Sequence, residues 1–186
     1  MYNTAYMVAV VSKVGEESIL SGDIRKAIIR VRLYNSENKI STAMLMLSEL
    51  GELKRATGIG VGDVILFSAT LSEGVKDTLV FHPNEIYILR KGLIPANELS
   101  DKLIDSRLLP YRKEKNLVVL EGSISLIEKN YVCLVVENKE ALRGSSDKDH
   151  HLWVNNTNKR KKLKTGDKVV FVGEYSDGEL KGRIYS

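Results

Sequence analysis

The chain has 186 residues, 43% of them apolar, and a formal net charge of +4. That length allows one large domain or two small ones, and the apolar share is ordinary for a globular protein. The single cysteine, Cys133, excludes an intrachain disulfide and does not suggest secretion, while the mild basicity is compatible with a nucleic-acid partner without requiring one.

The opening stretch MYNTAYMVAVVSKVG has no basic lead, and polar residues interrupt its apolar run. It reads as neither a signal peptide nor a membrane span, so a cytoplasmic protein without membrane contact is expected. Residues 6–14 form a first strand ending at Gly15, and residues 15–23 read as a polar loop. In residues 25–34, Ile29, Val31 and Leu33 alternate with Arg30, Arg32 and Tyr34, so one face is core and the other carries two arginines and an aromatic. Residues 35–38 make a turn, and residues 40–47 a third strand. Ser48 then suits the N-cap of a short helical turn running through Leu50 and Leu53 to Gly58.

The next strand belongs to a stretch that occurs twice. Residues 62–74 read GDVILFSATLSEG, and residues 166–178 read GDKVVFVGEYSDG, at a constant offset of 104 (166 − 62). In each copy a Gly-Asp turn opens an apolar strand with a matched phenylalanine (Phe67, Phe171), and Ser-acidic-Gly closes it into a hairpin. Chance similarity between two hairpins is the plain alternative. The matched ends favour two copies of one small all-β module.

Residues 77–81 form a fifth strand, stopped by His82 and Pro83. Asn84 suits an N-cap, with EIYILRK as a short helix ending at Gly92. Residues 97–109 place Leu99, Leu103 and Leu108 near one helical face, an amphipathic linker helix packing on one or both domains and ended by Pro110. The polar stretch after it reads as a hinge. Five short strands follow, over 116–127, 131–137, 150–156, the second Gly-Asp copy and 181–186, with polar loops at 138–149 and 157–165. In the third of these, His151, Trp153 and Asn155 share one face and Leu152 and Val154 the other. The expected fold is all-β with short helices: two tandem five-stranded OB barrels, residues 1–92 and 116–186, joined by a helical linker and hinge over 93–115.

Residues 51–63, GELKRATGIGVGD, resemble the loop of translation initiation factor 1A, where a Gly-basic-Leu-basic-basic segment leads through an Ile to an acid opening strand four. Gly51, Leu53, Lys54, Arg55, Ile59 and Asp63 stand at the matching positions. Lys76-Asp77, the strand to Phe81, the Asn84 helix and the closing ILRKGLIP are similar to that factor's strand five, helix and end. The similarity covers about residues 5–95. The second half resembles the wider group of bacterial initiation factor one and the ribosomal S-one repeat, through its basic loop before Gly166-Asp167. The resemblance implies RNA as ligand, ribosomal RNA foremost, and the small ribosomal subunit and its proteins as partners. The family's basic N-terminal tail and acidic C-terminal tail have no counterpart in this sequence, which puts initiation-factor activity itself in doubt.

Arg30, Arg32 and Tyr34 are candidate binding residues, because OB folds bind single strands across strands two and three. A solvated strand face is the alternative. Lys159, Arg160, Lys161, Lys162 and Lys164 form a basic run that is either a phosphate-binding loop or solvent-facing. Trp153, the only tryptophan, is a stacking platform if it faces outward with His151 and core if it faces inward. Tyr131 is a further candidate of the same kind.

The histidines and Cys133 lack metal-ligand spacing, and no nucleophile motif, phosphate loop or paired-carboxylate spacing occurs. Neither a cofactor nor an enzyme is expected. Charge is balanced in residues 1–90, with ten basic and ten acidic side chains, and nearly so in 116–186, with twelve and ten. That balance favours a factor docking on a large assembly over a tight strand coat. An RNA-binding factor of the translation apparatus is therefore the expectation. A single-stranded DNA-binding protein is the alternative, and an interaction subunit of a machine such as an RNA polymerase is a third reading.

Overall fold

A computed structural model describes residues 2–15, 18–20, 24–48, 58–74, 78–108, 110, 116–137, 149–158 and 162–186. Its first half contains β1 (Asn3–Val14), β2 (Ser18–Leu20), β3 (Ile24–Tyr34), β4 (Ile40–Ser48), β5 (Val64–Glu73) and β6 (Leu79–Arg90). A 3-10 turn (Ala96–Glu98) and helix α1 (Asp101–Leu108) lead to β7 (Asn116–Glu128), β8 (Tyr131–Val136), β9 (His150–Asn156), β10 (Lys168–Ser176) and β11 (Glu179–Tyr185). Among the described residues no helix is long and apolar enough to cross a membrane.

Two closed barrels result. β1 pairs with both β5 and β3, closing the circuit β1-β5-β6-β4-β3, and β7 pairs with both β8 and β10, closing β7-β8-β9-β11-β10. Both are OB barrels. Alternation dictates what fills them: Ile29, Val31 and Leu33 of β3 are fully buried, as are Phe67 and Phe171 of the two Gly-Asp strands.

The sequence duplication is also a duplication of backbone bonding. In the first barrel the Gly62 N–H donates to the Val11 carbonyl (2.8 Å) and the Val11 N–H to the Asp63 carbonyl (2.9 Å). In the second, the Gly166 N–H donates to the Ile124 carbonyl (2.8 Å) and the Ile124 N–H to the Asp167 carbonyl (3.0 Å). Gly62 and Gly166 adopt φ of 89° and 91°, a region that disfavours any side chain. Asp63 is 1% exposed. Burial pushes its carboxyl up, but Lys91 and the N–H groups of Gly92 and Gly60 outweigh that and hold it below the usual carboxylate range. The second copy closes in a two-residue turn, with Asp177 and Gly178 both at positive φ.

Two expectations change. The stretch 15–23 carries the strand β2, paired with the start of β3. The helix expected from Asn84 is instead the second half of β6. Its residues obey a period of two, with Ile86 and Ile88 packed on the core and Tyr87 and Leu89 exposed, and pairing to β5 satisfies a backbone too short to be a stable helix. Asn84 sits at a register shift between the Ser68–Glu85 and Ala69–Pro83 pairs, a bulge that accommodates Pro83. Of the placements open to the linker helix, on one domain or on both, the described residues show the first barrel, where Ile104 and Leu108 are buried and Leu99 and Leu103 half-buried. The helical turn expected between Ser48 and Gly58 lies outside the described residues.

The barrels are not beads on a string. The first half of β1 pairs antiparallel with β7, from Asn3–Leu120 to Met7–Asn116, making one continuous sheet. Asn116 fixes the joint: its Nδ2 donates to the carbonyls of Tyr34 (3.0 Å) and Tyr175 (2.7 Å), and its Oδ1 accepts from the Tyr175 N–H (2.9 Å). Tyr175 crosses over, meeting Phe81 edge to face at 5.3 Å and donating its hydroxyl to the Thr42 carbonyl (2.5 Å). The β3–β4 turn docks on the second barrel, where Asn35 Nδ2 donates to Ser176 Oγ (2.8 Å) and Ser36 Oγ to Glu174 (2.6 Å).

Candidate nucleic-acid interface

In the second barrel, β8 and β9 pair so that Tyr131 lies opposite Asn155, Cys133 opposite Trp153 and Val135 opposite His151. Leu152 and Val154 point into the core, which turns Trp153 outward. The open alternative for Trp153 thus resolves to the outer face. There it is half-buried beside exposed His151 and Tyr131, which is 39% exposed. The Tyr131 hydroxyl donates to Glu179 Oε1 (3.0 Å), and this carboxylate raises the Tyr131 pKa.

These side chains border a groove of about 210 Å³ between the barrels. Its far wall is the end of the β5–β6 hairpin of the first barrel, with Glu73, Thr78 and Leu79. Gly178 and Glu179, at the start of β11, close it. Strand periodicity does not predict the walls from the first barrel. A signal for them exists nonetheless: both copies of the duplicated segment end in Ser-acidic-Gly, which sets acids at the same end of each barrel.

In the first barrel the outer face of β3–β4 pairs Arg30 with Met44 and Arg32 with Thr42. Arg30 is exposed and Arg32 half-buried. Tyr34 does not join them as a stacking surface, correcting the expectation. It is 6% exposed, packed among Val8, Val10 and Val64 of the barrel and covered by Ile104 and Leu108 of α1. Its hydroxyl donates to the carbonyl and the side chain of Asp105. The strand does point all three residues the same way, but the linker helix covers the Tyr34 end of that face.

The β3–β4 pair meets the second barrel at the β10–β11 turn. Ser41 and Thr42 of β4 bond to Asp177 and Tyr175, at the turn whose Gly178 lines the groove. Of the basic loop, Lys162 and Lys164 are exposed, while Leu163 packs on the core and the Lys164 N–H donates to Asp167 Oδ2 (2.9 Å). Lys159, Arg160 and Lys161, and in the first barrel Lys54 and Arg55, lie outside the described residues. Among the described residues no group of three or more His, Cys, Asp or Glu side chains is placed to hold a metal ion.

No family model matches the chain, and no curated protein sequence does. Solved structures do. The wild-type single-stranded DNA-binding protein from Thermus aquaticus superposes with a TM-score of 0.63 at 12% identity, over 99% of this chain and 92% of that one. A deletion mutant of the same protein, carrying R190A, gives 0.64 at 12% identity, over 99% and 93%. These findings overturn the expectation of a translation factor docking on the small ribosomal subunit. The full-length likenesses are to DNA-binding proteins, and part of the initiation-factor resemblance rested on a helix that is the strand β6. In fold, over nearly its whole length, this chain is similar to the single-stranded DNA-binding protein from Thermus aquaticus.

Proposed function

We propose that this chain binds single-stranded DNA, without catalysing a reaction on it. The observation that carries the reading is the outward Trp153, set with Tyr131 and His151 along the groove between two OB barrels joined by the β1–β7 pairing. The fold-level likeness to single-stranded DNA-binding proteins supports it. An unpaired base offers a flat apolar face to an indole, and such stacking contributes about 1–3 kcal/mol per base without selecting sequence. Duplex DNA keeps its bases stacked on one another and cannot use the platform. Arg30, Lys162 and Lys164 supply exposed positive charge for phosphates. The strand would run from the groove past the β10–β11 turn onto the β3–β4 face.

The test is a fluorescence-anisotropy titration of a labelled thymidine oligonucleotide, with intrinsic Trp153 emission recorded in parallel. Trp153→Ala is expected to raise Kd roughly 5- to 150-fold, the equivalent of one stacked base. Lys162→Ser with Lys164→Ser is expected to flatten the plot of log K against log salt by about 0.7 for each phosphate that is no longer neutralised. Unaltered tryptophan emission together with an unchanged Kd for Trp153→Ala would refute the assignment. Tighter binding of RNA of the same length would overturn the choice of DNA.

A further inference from the structure

The groove that holds Trp153 carries a charge that phosphate binding does not explain. Glu73, the last residue of β5, lines it from the first barrel, and Glu179, the first residue of β11, from the second. Glu179 is engaged by the Tyr131 hydroxyl. Glu73 is exposed, and no ion pair with it occurs among the described residues. A phosphate drawn between two carboxylates would be repelled, so the sugar-phosphate backbone stays outside. What suits the space is a flat group with hydrogen-bond donors on its edge. At about 210 Å³ the groove is smaller than the ~300–1,000 Å³ of pockets for drug-sized ligands, the right scale for one base.

The four bases differ in what they offer a carboxylate. Guanine presents N1–H and N2–H side by side, a match for the two oxygens of one carboxylate. Thymine has a single N3–H between two carbonyls. Cytosine and adenine place an amino group next to a ring acceptor that a carboxylate repels. We infer that Glu73 reads the Watson–Crick edge of a guanine stacked on Trp153, so that the protein favours guanine at one position along the strand. The inference rests on the function proposed above. The site is bipartite: one barrel supplies the stacking surface and the other the edge reader. The β1–β7 pairing holds the two walls against each other.

The experiment compares a thymidine oligonucleotide with the same strand carrying one central guanine or one central inosine, on the full chain. One guanine is expected to tighten binding roughly 5- to 150-fold, the discrimination of a good bidentate pair to a base edge. Inosine, which lacks the N2 amino group, is expected to lose most of that gain. Glu73→Gln is expected to abolish the guanine preference while the melting temperature holds. Trp153→Ala is expected to weaken all three strands. Equal affinity for the guanine and thymidine strands, with Trp153 emission still responding to both, would overturn the base-reading site and leave the binding function standing. Failure of every strand to bind would remove both. Glu73-dependent quenching of Trp153 by an arginine-rich peptide, tighter than by any oligonucleotide, would overturn it in favour of a protein partner.

Discussion

Replacing Tyr34 separates the core from the binding face. The side chain is 6% exposed and enclosed by Val8, Val10, Val64, Ile94, Ile104 and Leu108. Truncating an aromatic so enclosed costs about 3–5 kcal/mol in lost burial and residual cavity. Loss of the hydroxyl's bonds to Asp105 adds about 1 kcal/mol, since Asp105 is itself exposed and regains water. For a chain of this size each kcal/mol lowers the melting temperature by roughly 2–4 °C, so Tyr34→Ala should melt about 10–20 °C early. Tyr34→Phe, which keeps the ring, should lose only about 2–4 °C. Neither should change the affinity for single-stranded DNA below its melting temperature, because the ring faces the linker helix and not solvent. Trp153→Ala should show the opposite pattern, with weakened binding and little loss of stability from a half-buried ring. Calorimetric melting and anisotropy titrations of the three variants, side by side, make the comparison. If Tyr34→Ala melts normally and binds weakly, α1 does not cover this face in solution and the corrected assignment is wrong.

Gly62→Ala and Gly166→Ala test the duplicated turn with one copy as control for the other. Both force alanine to φ near +90°, a strain of about 1–3 kcal/mol, but only at Gly62 would the new Cβ lie 1.8 Å from the Ile94 carbonyl oxygen, whereas nothing stands within 4 Å at Gly166. The Gly62 variant should therefore melt well below the Gly166 variant, and equal melting would show that the first turn is not packed as described. The joint at Asn116 predicts cooperativity: the wild type should unfold in a single calorimetric transition. Asn116→Ala, which strands the Tyr34 and Tyr175 carbonyls and the Tyr175 N–H, should cost about 2–4 kcal/mol and broaden or split that transition. Two well-separated transitions in the wild type would contradict the interlocked core.

Much of the architecture follows from the chain alone. Side chains of a strand alternate across the sheet, so Ile29, Val31 and Leu33 announce a buried face from their spacing, whereas the same alternation in β9 leaves both sides open for Trp153 until burial of Leu152 and Val154 turns it outward. The Gly-Asp repeat marks both turns because a positive φ at that position admits little but glycine. These are local demands, legible wherever they occur. Residues 84–90 mislead at the same level. Asn before a run with Ile and Leu satisfies the rules for a helix start, and only the free edge of β5 alongside converts it to strand. Tyr34 is harder still, since its cover comes from Ile104 and Leu108, some seventy positions on. The groove combines Glu73 with Trp153 from different barrels, held by the β1–β7 pairing. That pairing is made of backbone hydrogen bonds, which every residue but proline can offer, so no side chain of either strand advertises it. Local pattern is thus enough to specify two barrels and the buried faces of their strands. Which outer faces stay open to solvent, and which residues of the two barrels meet, follow from packing between segments that share no local pattern.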